Sequence, residues 1–326
     1  MAEFHIPVLL NEVLDLLAPK SGQIFVDCTL GGAGHAGPIA RALGNSGALV
    51  GIDLDPESVR AAKDVFDLAS RGGEIAAGVK IFLERGNYKD IKKILQGIGM
   101  QSADGILADL GMSSYDLDRS ARGFSFRRDE PLDMRFNPES AEKRDREIFN
   151  AEFVLKTYSR EKLADIFKRY GEEKFAFGIA GAIVKFRQSA DLDSTLKLFA
   201  AIKSALPAKI KFRASDSASR IFQALRIEVN NELGNLEQFL PDAFELLNPG
   251  GRLAVISFHS LEDRIVKNFF KGRQKGCVCP PDFPQCACGK NPEGKILTPK
   301  PVIAGKEETE SNPRSRPAKL RAIQKI

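Results

Sequence analysis

The stretch IFVDCTLGGAGHAGPIARAL, residues 24–43, decides the fold. An apolar run ending at Asp27 reads as a buried strand. A loop with Gly31, Gly32, Gly34 and Gly37 follows, and an amphipathic helix opens behind it. Glycines suit a loop in which a side chain would hold the backbone off a ligand, and the helix start presents unpaired N–H groups. Further on, LVGIDLDP (49–56) supplies a second strand ending at Asp53. A short carboxylate there can accept hydrogen bonds from both hydroxyls of a ribose. One strand–loop–helix–strand unit is thus suited to a nucleoside.

Gly32, Gly34 and Gly37 spell GxGxxG, the pattern of pyrophosphate-binding dinucleotide folds, and alone that match is weak. Asp27 and Thr29 stand ahead of the glycines, where a carboxylate suits an ammonium group better than a pyrophosphate. S-adenosylmethionine (SAM) has a ribose, an adenine and an amino-acid tail and no phosphate, so it is favoured over NAD. A structural strand turn with spare glycines is the bland alternative.

The sheet extends in both directions from this unit. VLLNEVLDLLA, from Val8, has helical spacing, and Pro56 opens the helix after strand two, where a missing N–H costs least. VKIFLERGNY reads as strand three, ending near Asn87 and Tyr88; DGILADLGMSS is strand four, with Asp109 at its end. In open parallel sheets the ligand lies over the carboxyl ends of the strands, so Asp27, Asp53, Tyr88 and Asp109 are expected to converge. The next convincing buried strand, GRLAVISF at 251–258, comes only after a long interval and is fed by a Pro-Gly-Gly turn common in SAM-dependent methyltransferases.

The interval reads as an insert. Residues 139–206 are helical in character: Leu163, Ile166, Phe167 and Tyr170 share one face, as do Phe175, Ile179, Ile183 and Phe186. The expected organisation is a core of residues 1–112 and 216–326 with an all-α domain at 113–215. Ahead of those helices, SSYDLDRSARGFSFRRDEPLDMRF packs Arg119, Arg122, Arg127, Arg128 and Arg135 among Phe124, Phe126 and Phe136. Arginines offer phosphate contacts and aromatics offer stacking surfaces for unpaired bases, although an exposed loop tucked down by phenylalanines has the same composition.

The chain has 326 residues, 43% of them hydrophobic, enough for one full α/β core and a smaller domain. The longest apolar runs fall well short of the ~20 residues of a membrane helix, and the N-terminus lacks a signal pattern, so a cytoplasmic protein with no membrane contact is expected. The formal charge is +5, but Arg264–Ile326 holds 14 Lys or Arg against 5 Asp or Glu. That basic end reads either as a tail for a phosphate-rich partner or as a solvated terminus. Cys277, Cys279, Cys286 and Cys288 form two CxC pairs that could hold a tetrahedral Zn²⁺, but loose thiols are the simpler reading and no metal ligand is assigned.

The motifs HIPVLLNEVL, DCTLGGAGHA, GIDLDP, DGILADLGMSS, RGFSF with PLDMR, FQALRIEVNNEL, LNPGGRLAVISFHSLEDRIVK and NPRSRPAKLR run through almost the whole chain. In that order they resemble the MraW (RsmH) family of ribosomal RNA small-subunit methyltransferases. The resemblance implies an α/β fold, with the Rossmann-like sheet of class I SAM-dependent methyltransferases and an inserted all-α domain. It implies transfer of a methyl group from SAM to the exocyclic 4-amino nitrogen of a cytidine in 16S rRNA, with the small ribosomal subunit as partner. A homodimer is an assembly it allows.

Position by position, it implies that Ala33, Gly34 and His35 line the methionine end of SAM, Asp53 takes the ribose, Tyr88 packs by the adenine and Asp109 closes the site. Asp116 stands where the family often has a glutamine in contact with the cofactor; Glu130 replaces a usual glycine and Phe136 a common methionine. For the chemistry, Asp109 is the candidate acceptor for the amine hydrogens and Ser113 or Ser114 shapes the pocket. His259 is placed to contact the base or take up the released proton, while His35 reads as ordering the loop. An NAD oxidoreductase and a non-catalytic RNA-binding protein are the competing classes. A DNA cytosine-amine methyltransferase is disfavoured, since those enzymes typically carry a proline pair and an aromatic after strand four, where this chain has Asp109-Leu-Gly-Met-Ser-Ser.

Overall fold

The computed structural model describes residues 7–112, 120–137, 139, 143–144, 147–189, 191–275, 279, 285 and 287–326. The chain divides into two compact units, Met1–Gly111 with Gly234–Ile326, and Met112–Leu233.

The first unit is built on a seven-stranded sheet. Strands β1 (Ile24–Asp27), β2 (Ala48–Asp53), β3 (Lys80–Arg85) and β4 (Ala103–Asp109) alternate with helices α1 (Leu10–Leu17), α2 (Ala36–Ala42), α3 (Pro56–Arg71) and α4 (Ile91–Gly97). The chain returns through α10 (Glu232–Leu246) to β7 (Leu247–Ser257) and α11 (Ser260–Lys275), and ends with β8 (Gly294–Ile296), α12 (Lys306–Ser311) and β9 (Lys319–Lys325). The strand order is β3-β2-β1-β4-β7-β9-β8, parallel from β3 to β7 and antiparallel at β9 and β8. This is the Rossmann-like methyltransferase sheet that the sequence predicts. Strand order reverses between β1 and β4, and a ligand site is expected in the crevice beyond their carboxyl ends.

Alternation within the strands divides the core between the two faces. Phe25 packs with Leu9, Ile39 and Phe66 on one side, while Val26 packs with Ile91, Phe239 and Phe270 on the other. Both faces are covered, so the central strands are apolar nearly throughout. Gly105 allows this close packing at β4, because a Cβ there would lie 2.0 Å from the Phe25 ring.

The end of the chain departs from a basic tail. Lys319–Lys325 pairs antiparallel with β7, from Ser257↔Lys319 to Arg252↔Gln324, and buries Leu320, Ala322 and Ile323 completely. Its positive charges flank a core strand instead of forming a solvated terminus, and Arg321 is itself buried against Asp263 of α11. Among the described residues no helix is long and apolar enough to cross a membrane.

The second unit is helical: α5 (Ala151–Thr157), α6 (Arg160–Arg169), α7 (Ala176–Ser189), α8 (Thr195–Ala205) and α9 (Ala214–Asn230), with a two-residue-stranded hairpin of β5 (Lys143–Arg144) and β6 (Glu147–Ile148). Asn150 and Ser159 cap α5 and α6 with side-chain oxygens, as their sequence positions before the helices favour. Its core gathers Phe153, Phe167, Ile179, Ile183 and Leu198. Helix α9 belongs here and not to the core as its sequence position suggests, because Ala218, Ile221, Phe222 and Leu225 share that cluster.

Candidate active site

The glycine loop is held from below. Asp53, the last residue of β2, accepts the Gly31 N–H at 2.8 Å through Oδ2 and the Asp55 N–H at 2.9 Å through Oδ1. Asp55 then caps α3 by accepting the Glu57 N–H, and Pro56 occupies the first helical position. Gly31 has φ +47° and Ala33 φ +62°, a left-handed conformation that an alanine adopts only where its surroundings impose it. A Cβ on Gly32 would meet nothing within 4 Å, so the backbone at this point faces open space, whereas one on Gly34 would press on Pro7 at 3.2 Å.

Two carboxylates meet at the switch point. Asp27 sits opposite Leu107 across β1 and β4, which places Asp109 just beyond it at the end of β4. Asp27 is 1% exposed and its Oδ1 accepts the Thr29 N–H at 3.1 Å. Burial pushes its carboxyl up to about 7, with the charge of Asp53 adding to the effect and the Thr29 N–H opposing it. Burial likewise holds the Asp109 carboxyl well above the usual range, helped by the charges of Asp27 and Glu262. Asp109 Oδ1 is buried without a hydrogen-bond partner among the described residues. Cys28, between Asp27 and the loop, is buried, and desolvation together with Asp27 pushes its thiol up.

His35 stands at the start of α2, buried, with Nε2 2.9 Å from the Val8 carbonyl oxygen and Nδ1 3.7 Å from Asp109 Oδ2. Nε2 therefore donates to Val8, which leaves Nδ1 facing the carboxyl. Tyr88 opens a short 3₁₀ turn after β3 and meets the Phe239 ring edge-on at 5.2 Å. His259 precedes α11 and forms a reciprocal cap: Glu262 Oε2 accepts the N–H groups of Phe258 and His259 at 2.9 and 3.3 Å, while His259 Nδ1 accepts the Glu262 N–H at 3.4 Å. That last bond places the ring proton of neutral His259 on Nε2, which lies 3.2 Å from Glu262 Oε1 without hydrogen-bond geometry. Glu262 is the contributor that motif reading passed over. The spacing of a capping residue and a glutamate three positions on, His259-Ser-Leu-Glu262, is the signal for it.

Asp27, Ala33, Gly34, His35, Asp53, Tyr88, Asp109 and His259 all lie in the first unit, on its strand ends or the segments following them. Ser113 and Asp116 lie outside the described residues, as do Cys277, Cys286 and Arg119.

In the second unit the arginine–phenylalanine segment is largely used internally. Arg122 is buried and donates to the Arg135 and Phe136 carbonyls, and Arg135 forms a two-point ion pair with Asp133. Phe124 stacks on Phe136 at 5.5 Å, and Phe126 lies between Phe199 and Phe222. Arg127 and Arg128 remain at the surface. Glu130 accepts the Gly123 N–H and donates its own N–H to Thr195, so it pins the turn at Gly123, whose φ is +76°. The stacking surfaces expected of Phe124 and Phe126 are thus core contacts.

The model of the MraW methylase family matches residues 2–326. The chain belongs to the MraW methylase family. Among curated proteins, the ribosomal RNA small subunit methyltransferase H of Heliobacterium modesticaldum is 46% identical over 328 residues, covering 100% of both chains. The protein of the same name from Finegoldia magna is 43% identical, over 99% of this chain and 98% of its own. Among solved structures, an rRNA methylase from Streptococcus thermophilus aligns over 100% of this chain and 99% of its own with a TM-score of 0.41 and 8% identity. In this MraW methylase the resemblance carried by the sequence motifs therefore extends over the full chain.

Proposed function

We propose that this chain transfers a methyl group from SAM to the exocyclic 4-amino nitrogen of a cytidine in the 16S rRNA of the small ribosomal subunit. The observation that carries the reading is the pair of buried carboxyls at the switch point, Asp27 and Asp109, with Asp109 Oδ1 unpartnered among the described residues. Two desolvated acids side by side are costly unless a cation joins them. SAM brings an ammonium and a sulfonium, and a pyrophosphate brings only further negative charge. The names of the full-length relatives, ribosomal RNA small subunit methyltransferase H, support the substrate.

SAM supplies an electrophilic methyl group, and the remaining work falls to this chain. Ala33, Gly34 and His35 would line its amino-acid end, Asp53 its ribose and Tyr88 its adenine, with Asp116 a further contact. Asp53 has already committed one lone pair of each oxygen to Gly31 and Asp55, so it would hold the loop and the ribose together. The amine lone pair of cytosine is delocalised into the ring, so collinear placement of nitrogen, methyl and sulfur supplies much of the rate. Asp109 would accept from the amine hydrogens through its unpartnered oxygen, and Ser113 would shape the pocket. His259 suits a contact to the base better than proton uptake, since its Nδ1 already accepts from Glu262 and its Nε2 carries the proton. The 4-amino group is paired in a duplex, so the target must be single-stranded or turned out of its helix.

The deciding experiment is methyl transfer to purified small subunits, with the modified nucleotide mapped by mass spectrometry. Incorporation at a cytidine 4-amino nitrogen is the expected result; a methyl group on carbon, ribose or another base would overturn the assignment.

A further inference from the structure

With Phe124 and Phe126 packed inside, the helical unit exposes Phe212 at 83%, well beyond Phe177 at 56%, which has Arg160 over its ring. Among the described residues it is the most exposed aromatic. It lies in a 3₁₀ turn, Ala208–Arg213, between α8 and α9. Ile210 packs on the helical core, and the Ile210 N–H bonds the Pro207 carbonyl, so the turn is anchored on one side. In a 3₁₀ turn residues three apart are eclipsed, and Lys209 therefore shares a face with Phe212. The segment 194–215 holds Lys197, Lys203, Lys209, Lys211 and Arg213 and no acidic residue. Lys197 pairs with Asp193 and Arg213 with Asp216, while Lys203, Lys209 and Lys211 are exposed and form no ion pair among the described residues.

A large ring held in water by an anchored turn, preceded in sequence by the exposed ammonium groups of Lys209 and Lys211, has no role in the core of this unit. Its chemistry matches an unpaired base, with the ring as stacking platform and the ammonium groups against the flanking phosphates. We propose that the Lys209–Lys211–Phe212 turn is a docking surface for a single-stranded segment of the RNA substrate. This rests on the reading of the chain as an rRNA methyltransferase and assigns a place where the RNA is held, distinct from the residues assigned to SAM and the target amine.

The test is binding of the full-length protein to naked 16S rRNA and to small subunits across a salt series, with melting temperature and SAM affinity measured in parallel. Phe212→Ala is expected to weaken binding to naked rRNA about tenfold, with melting temperature and SAM affinity unchanged, and Phe212→Tyr to restore it. Replacing Lys209 and Lys211 by alanine should lower the slope of log affinity against log salt by about 0.7 per lysine. Equal binding of naked rRNA by Phe212→Ala and the unaltered chain would overturn the proposal. So would a loss seen on subunits but not on naked rRNA, which would assign the patch to a ribosomal protein. Mapping the methyl group keeps the two readings separate: a wrong nucleotide defeats the catalytic assignment whatever Phe212 does, and an Phe212→Ala protein that binds normally defeats only the docking surface.

Discussion

Thr29 Oγ1 accepts the backbone N–H of Asp109 at 2.7 Å, and the same hydroxyl lies 3.5 Å from Asp27 Oδ1. One side chain in the loop after β1 thereby joins the end of β4 to the Asp27 carboxyl. Thr29→Val keeps the shape and removes the acceptor, leaving the Asp109 N–H unpaired. Urea unfolding is expected to show a loss of about 1–3 kcal/mol, and kcat to fall as the Asp109 carboxyl drifts, while Thr29→Ser retains both. A valine variant with unchanged midpoint and kcat would show that the hydroxyl does not position Asp109.

The raised Asp27 carboxyl makes a pH prediction whose sign follows from proton binding. Between its ordinary value of 3.8 and its native value of about 7, the folded protein holds a proton that the unfolded chain has released. Stability without ligand should therefore fall as pH rises through that window and level off above it, with a ceiling of about 4 kcal/mol from this group. Asp27→Asn removes the slope, and the difference between the two proteins isolates it from other titrating groups. A cation bound beside Asp27 favours the ionised form, so SAM binding near pH 7 should release protons, measurable by calorimetry in buffers of different ionisation enthalpy. Identical pH profiles for the two proteins would place the titration elsewhere.

Asp53 holds the loop through Gly31 and is the ribose candidate, so its removal should act on binding first. Asp53→Ala is expected to weaken SAM binding by on the order of 1–3 kcal/mol, and the freed Gly31 N–H should make the loop more susceptible to limited proteolysis. Calorimetric affinity equal to that of the unaltered chain would remove Asp53 from the cofactor site.

How far this could be foreseen depends on what kind of signal each element carries. Strand β1, its glycine loop and Asp53 are legible because period, glycine chemistry and strand-end position are local properties of the sequence. Strand β9 is not, because Lys319, Arg321 and Lys325 mask the buried Leu320, Ala322 and Ile323, and its pairing with β7 joins segments about seventy residues apart. Arg122 and Arg135 defeat composition for the same reason: whether a guanidinium meets a phosphate, a backbone carbonyl or a neighbouring carboxylate is decided by packing. Helix α9 looks like the return to the core until its apolar stripe finds the other helices.

The cap at α11 separates two roles for His259. Asparagine is a favoured N-cap, so His259→Asn should keep the melting temperature within about 2 °C, whereas His259→Ala, which loses the cap, should cost ~1 kcal/mol. If the imidazole also touches the base, the asparagine variant will lose kcat despite its intact fold. Full activity in the asparagine variant would reduce His259 to a cap.

The buried ion pair between β9 and α11 tests the C-terminal strand directly. Arg321 Nε and Nη2 donate to the two oxygens of Asp263 at 2.6 and 3.2 Å, with the two side chains only 9% and 14% exposed. Arg321→Ala leaves the Asp263 carboxylate between β9 and α11 with Lys319 Nζ, at 3.9 Å, as its remaining cation and should cost up to roughly 3 kcal/mol. The cost belongs to the poorly compensated charge and not to the Arg321 pair as such, so Arg321→Met combined with Asp263→Leu should recover most of it. Chemical denaturation of the three variants decides the matter: a mild arginine variant would mean that Lys319–Lys325 is a loosely held terminus, and a double variant no better than the single would mean that packing, and not charge, holds β9 in the sheet.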